Sequence, residues 1–391
     1  MRLIHLHSLE QLYEREAAWD DLWQRSAATV PTVRARTLGA WIERFAPGAR
    51  LELLVVEDAG RWVAGLPLVE QSWQRWLSVG ALPSNPWTHA GDLLLDEQAD
   101  PRRALDVLVV GLAGLAWPLL RLDAVLVDAP RWRGLVEALA RAGIAWHARR
   151  HFDVGLVDIP GAAAAPDGAL SPRRLRRAER QSRRLQRCCG GPPRLRVVTD
   201  AEQVDAALRC GLALEDSGWK GRAGTSVLGT PGMLEFYLRQ ARQLAAWGHL
   251  HLALLGAGER AVAFEYGWIA KGVYHSYKIG YDEQFASCGP GQLLFHRLLA
   301  SFAAERRVEL IDGMGPLDEA MARWATRMQA AGRLVIAPGP RVGRALLRAY
   351  RDGWPLLARF RLPRGFRGAA GGIRPGGVVP YRPRPVRLPG A

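Results

Sequence analysis

The feature that most constrains this 391-residue chain is a sparse internal repeat. With residues 249–267 set beneath residues 50–68, Leu51, Leu53, Arg61, Val63 and Ala64 fall opposite Leu250, Leu252, Arg260, Val262 and Ala263, at a constant offset of 199. Each copy reads as an apolar strand, a Gly-containing turn and a second strand. A third strand follows, at 76–82 in the first copy and 273–281 in the second. The order then continues through a helix, a strand and a helix: 101–116, 119–127 and 131–142 in the first copy, 292–304, 308–312 and 317–331 in the second. Closing strands are expected near Ile144 and Leu334. A period of this length predicts two copies of one α/β (α+β) unit, each a mostly antiparallel sheet flanked by helices.

The copies part company at one informative place. Ser287-Cys288-Gly289-Pro290-Gly291-Gln292-Leu293-Leu294 puts a glycine turn directly before Leu293, Leu294, Leu298, Leu299 and Phe302, which recur at helical spacing. Glycines let the main chain approach a ligand closely, and the free N–H groups of a helix start favour phosphate; Gly-Pro-Gly also occurs in plain turns. The first copy has Leu82-Pro83-Ser84-Asn85-Pro86-Trp87-Thr88-His89-Ala90-Gly91 at this point, with no such turn. Chemistry is therefore expected in the second copy, and a structural or acceptor-shaping role in the first.

Composition limits the setting. Hydrophobic residues make up 49% of the chain, yet no apolar run reaches the about 18 residues of a membrane span. The start of the chain lacks a long apolar stretch, and the expectation is a cytoplasmic protein. Four cysteines, with Cys188 and Cys189 adjacent, have neither paired CxxC spacing nor a disulfide pattern and read as thiols; no cluster has metal-ligand spacing, so no metal is expected. The net charge of +15 is concentrated. Residues 173–187 hold eight Arg against one Glu, and residues 339–391 hold twelve Arg against one Asp, so the remainder is slightly acidic. Such segments suit contact with phosphate or an anionic membrane surface. Residues 340–361 interleave Val342, Leu346, Leu347, Tyr350 and Trp354 with arginines, a stripe that either lies on a membrane or docks on the protein body. From Pro363 onward Gly, Pro and Arg dominate and no order is expected.

The ordered series Ser171-Pro172-Arg173-Arg174-Leu175-Arg176-Arg177, Leu214-Glu215-Asp216-Ser217-Gly218-Trp219-Lys220-Gly221, Tyr277-Lys278-Ile279-Gly280-Tyr281-Asp282-Glu283, Gly289-Pro290-Gly291 and Asp312-Gly313-Met314-Gly315 resembles the GNAT acyltransferases. Within them it is most similar to the cellulose-biosynthesis acetyltransferase branch (CelD/BcsL type), over residues 165–337. The tandem plan also resembles FemABX proteins, which use an aminoacyl-tRNA donor. The resemblance implies a degenerate GNAT-like domain at 1–158, a linker at 159–171, a catalytic GNAT domain at 172–338 and a basic tail at 339–391. It implies acetyl-CoA or another acyl-CoA as co-substrate, with its pyrophosphate on the amides of Gly289, Gly291 and Gln292. Its pantetheine would lie along a strand edge near Ile279, where a backbone N–H faces the oxyanion. Two departures stand out: Ala286 replaces the usual leading Arg or Gln of the loop, and Met321 stands where a Lys is expected before Trp324.

Direct attack by an amine or hydroxyl acceptor on a thioester needs a base. Glu265 interrupts an apolar strand and is the first choice, unless it is a partnered structural Glu. Asp282 and Asp312 sit at strand ends, where turn capping is the plainer role. Tyr277 is placed to protonate a leaving thiolate or simply to pack. Trp219 and Lys220 end a helix, and the resemblance assigns them to substrate binding. Lys278, also in the substrate-binding set, points away from Tyr277 unless a bulge intervenes. The acceptor is expected to be a small molecule, saccharide or amine in exopolysaccharide or envelope synthesis. The alternatives are tRNA-dependent transfer, or a non-catalytic module on membrane or nucleic acid; nucleic acid is the least expected partner of the leading reading.

Overall fold

The structure is a computed structural model describing residues 1–74, 76–159, 171–258, 260–339 and 341–359, with side chains as far as Gly353. In the first repeat, β1 (Arg2–Leu6), α1 (Leu9–Glu14), α2 (Glu16–Arg25) and α3 (Ala35–Phe45) precede β2 (Leu51–Asp58), β3 (Arg61–Trp73) and β4 (Leu77–Ala81). The short strands β5 (Ser84–Asn85), β6 (Thr88–His89) and β7 (Leu94–Leu95) follow, then α4 (Pro101–Ala113), β8 (Leu120–Val125), α5 (Pro130–Arg141) and β9 (Ala145–Asp158). The second repeat opens with α6 (Pro172–Cys189), β10 (Pro193–Val198), α7 (Val204–Ser217), α8 (Trp219–Arg222) and α9 (Met233–Ala246). It continues with β11 (Leu250–Ala257), β12 (Arg260–Ala270), β13 (Val273–Tyr281), α10 (Pro290–Glu305), β14 (Leu310–Pro316), α11 (Glu319–Ala322), β15 (Arg327–Ala337) and α12 (Val342–Arg359).

Local chemistry sets these boundaries. Asp100 accepts the Arg103 N–H at 3.0 Å and Pro101 occupies the first turn, so α4 starts there. Helix α6 stops at Gly190, whose φ of 74° needs a residue without a Cβ. Only Ala178 and Leu185 of α6 are buried, as expected of a helix rich in arginine on most faces.

The strands of both repeats join one mixed sheet in the order β1-β2-β3-β4-β8-β15-β9-β14-β13-β12-β11-β10. Parallel pairing occurs at β4/β8 and at β13/β14, the same position in each repeat. The closing strands are exchanged. β15, from the second repeat, pairs with β8, while β9, from the first, pairs with β14; β9 and β15 also pair with each other. The cores follow the exchange. Leu334 and Ile336 of β15 pack with Leu105, Leu122 and Trp132 of the first repeat, and Val157 of β9 packs with Leu298, Phe302 and Ile311 of the second.

One expectation fails here: residues 317–331 are not a helix. Only Glu319–Ala322 turn helically, capped by Asp318, and from Arg327 the chain is β15, paired with β9 over its length with one register shift between Ala331 and Gly332. Ala320, Ala322, Ala325, Ala330 and Ala331 favour helix intrinsically, but the ladder with β9 outweighs that preference.

The described part of α12 docks on the body, with Leu346, Leu347 and Tyr350 packed against Trp73, Val335 and Ala337. The tail from Pro363 and the linker at 160–170 lie outside the described residues. Among the described residues no helix is long and apolar enough to cross a membrane.

Candidate active site

β13 and β14 run in register only from Val273/Leu310 to His275/Asp312. Beyond that they separate, leaving a cleft of about 1260 Å³ lined by Glu265, Ser276, Tyr277, Ile279 and Tyr281 on one wall and by Gly313, Gly315 and Pro316 on the other. The glycine turn, the start of α10, Trp324 and the arginine face of α6 complete the lining. A strand edge without a β partner offers N–H and C=O groups to an extended ligand, as in strand addition.

The glycine turn is built for this position. Gly289 has φ 64°, and a Cβ there would meet the Gln181 side-chain nitrogen of α6 at 2.2 Å. Leu293 donates its N–H to the Gly289 carbonyl at 3.0 Å. Pro290 has no N–H, so among the described residues the amides of Gly291 and Gln292 are the unpaired ones at the helix start. A Cβ on Gly291 would meet only Tyr281, at 3.7 Å, so this backbone is open to the cleft. The Gln292 side chain accepts from the Trp324 indole at 2.9 Å, and Trp324 also packs at a tilt against Phe295 and lies under the Arg174 guanidinium.

Arg173, Arg177, Arg180 and Arg184 recur at helical spacing along α6 and line the cleft with Arg174. Among the described residues none of the four has a carboxylate within ion-pair distance. That is a row of guanidinium groups without ion-pair partners of their own, in a lining that also holds Asp318 and Glu319. The spacing was present in the sequence as a helical face, but nothing there told which way the face pointed.

Glu265 lines the cleft and is 3% exposed. Tyr274 donates to it at 3.0 Å. Burial pushes its carboxyl above the ordinary value, and hydrogen bonds from Ser276 and Tyr274 oppose that rise. It is both partnered and at the cleft.

A bulge decides the fate of Tyr277 and Lys278. Tyr266 pairs with Lys278 and Gly267 with Ser276, so Tyr277 is the extra residue and both side chains reach the ring of Trp87 or its carbonyl. The Tyr277 hydroxyl donates to the Trp87 carbonyl, so acting as an acid would require that bond to break. Lys278 is nearly buried against the Trp87 and Tyr237 rings, with Glu215 at 3.9 Å. Burial lowers its pKa to about 8. Lys220 pairs with the same Glu215 at 2.7 Å, while Trp219 keeps an exposed ring and its backbone N–H donates to the Glu283 carboxylate. Lys220 and Lys278 therefore meet on one buried carboxylate, a partner that sequence spacing did not single out.

The remaining carboxylates stand elsewhere. Asp282 caps the 3-10 turn before Gly289 by accepting from Gln284 and is ion-paired with Arg260 at 2.7 Å. Asp312 accepts the Met314 N–H at 2.8 Å and lines a smaller cavity of about 100 Å³ with His89, Asp92 and Asp123, between the repeats. Ile279 is half exposed at the cleft wall.

A splayed parallel strand pair, with a glycine turn and helix start at its mouth, defines the class of the site. Residues 172–320 match the family model described as an acetyltransferase (GNAT) domain. The fold of the whole chain is similar to that of FemX, with a TM-score of 0.59 and 10% identity over 86% of this chain and 97% of that one. It is similar also to the C-terminal domain of a protein described as a lysylphosphatidylglycerol synthetase from Agrobacterium fabrum, with a TM-score of 0.51 and 14% identity over 88% of this chain and 97% of that one. No curated protein matches the chain. The acetyltransferase (GNAT) domain match thus lies within the second repeat, and the fold as a whole has structural counterparts.

Proposed function

We propose that the chain is an acyltransferase that transfers an acyl group directly from acyl-CoA to an amine or hydroxyl acceptor. The observation that carries this is the cleft between β13 and β14, with the free amides of Gly291 and Gln292 at one end and Glu265 in its wall. The donor's pyrophosphate would accept from those amides, and its pantetheine arm would pair with the open edge of β13 near Ile279. The missing cation at Ala286 is offset in space by the α6 arginines. In the reaction, the acceptor's lone pair attacks the thioester carbonyl and Glu265 takes the acceptor's proton, directly or through water. A β13 backbone N–H stabilises the oxyanion, and the tetrahedral intermediate collapses with loss of the CoA thiolate. The acceptor reading remains a saccharide or amine of envelope or exopolysaccharide synthesis, as the CelD/BcsL resemblance implies.

Calorimetry with acetyl-CoA tests it: binding by the wild type that is lost in Gly291→Trp is expected. Failure of the wild type to bind would sink the acyl-CoA reading. A second reading, an aminoacyl-tRNA donor, is favoured by the unpaired arginine row, which is longer than one pyrophosphate needs, and by the FemABX resemblance. Aminoacyl transfer that proceeds without CoA would select it.

A further inference from the structure

We propose that His5, His7 and Glu52 form a binding site for one transition-metal dication, with zinc the best chemical match. The three residues lie on adjacent strands: His5 and His7 share a face of β1 and its continuation, and the β1/β2 register of His5 with Leu54 and Leu6 with Leu53 leads Glu52 opposite His7. One donor atom from each falls within 4.8 Å of the other two. The Nδ1 atoms of His7 and His5 stand 3.0 and 3.7 Å from the same Glu52 oxygen, Oε2.

Glu52 is 3% exposed, and its Oε1 accepts from the Arg50 guanidinium at 2.6 Å, yet its buried Oε2 has no hydrogen bond. A buried carboxylate oxygen beside two imidazole nitrogens, with no hydrogen bond of its own, puts three donor atoms within reach of one ion. Two imidazoles and one carboxylate suit zinc or its neighbours and disfavour magnesium and calcium, which demand more oxygen ligands. The half-exposed His7 leaves an entry path and room for water as a fourth ligand. Six strands separate β1 from β14, so the metal would tie the sheet's edge strand to β2 and take no part in acyl transfer.

The test uses the full chain stripped with chelator and titrated calorimetrically with zinc chloride, together with His7→Ala, His5→Ala and Glu52→Gln. One equivalent is expected for the wild type, weakened roughly tenfold or more in each variant, and a zinc-dependent rise in melting temperature that His7→Ala abolishes. Circular dichroism checks that each variant is folded; His7 is exposed enough that its removal leaves the core intact. Cobalt(II) should give intense visible d–d bands without thiolate charge transfer. No saturable binding by the wild type, unchanged binding by folded His7→Ala, or thiolate bands assigning the metal to Cys188, Cys189 and Cys288, would each overturn the proposal.

Discussion

Glu265, the proposed base, is a carboxyl whose burial comes at a cost in stability. Burial raises its pKa, so the folded state holds its proton more tightly than the unfolded chain does. Stability therefore falls as pH rises from the ordinary carboxylate value through the raised one, while the basic form that the proposed transfer would use is gained over the same window. Glu265→Gln keeps the volume and removes the ionisation. It should lower kcat by about 10²- to 10⁴-fold yet leave the melting temperature at neutral pH equal to or above that of the wild type, as calorimetry would show. Lys278 titrates in the opposite sense. With its pKa lowered from 10.5 to about 8, the unfolded chain binds the extra proton between these values and stability rises with pH across that window. Lys278→Met should flatten the dependence, while Lys220 continues to neutralise Glu215. The position of Glu265 in an apolar strand was legible from sequence. Its hydroxyl partners were not, because strand register decides which side chains meet.

At the scale of elements, the cleft depends on α6 closing over the glycine turn. Gly289→Ala should destabilise the protein by about 1–2 kcal/mol from the left-handed backbone alone. It should also displace Gln181, which denaturant titration alongside donor binding would register. Arg177→Glu or Arg180→Glu should weaken donor binding roughly tenfold at low salt and less at high salt; a salt-independent loss would point to misfolding instead. The first repeat's counterpart of the glycine turn has taken another task. The carbonyl of Trp87 accepts from the hydroxyls of both Tyr237 and Tyr277, and Thr88 accepts from Gln240 at 3.2 Å. The contrast between the two turns could be read in the sequence, since Gly-Pro-Gly and Pro-Trp-Thr-His differ so plainly. The strand at 327–337 could not, because its helix-forming Ala330 and Ala331 pair with Asp153 and Phe152, far back in the chain, and no local pattern reports such a partner.

For the whole molecule, the repeats share one sheet, so they are expected to unfold as one cooperative body. Besides the exchanged strands, Lys271 in the β12/β13 turn donates to the carbonyls of Trp23, Ser26 and Ala28 in the first repeat. Lys271→Ala strands three acceptors and should cost about 1–3 kcal/mol in a single unfolding transition. Residues 1–171 and 172–391 produced separately should each expose an incomplete sheet, and they should recover donor binding only when combined. Independent cooperative folding of either piece would contradict the shared sheet. The exchange also dictates an order of assembly during synthesis. Among the described residues β15 is the last strand made, yet its place is between β8 and β9, near the middle of the sheet. A ribosome that has released the first repeat has produced two strands still waiting for a neighbour nearly two hundred residues away. The nascent protein must keep those edges from pairing with other chains until the closing strand emerges, and any message truncated before residue 327 yields a product that can never fill that gap.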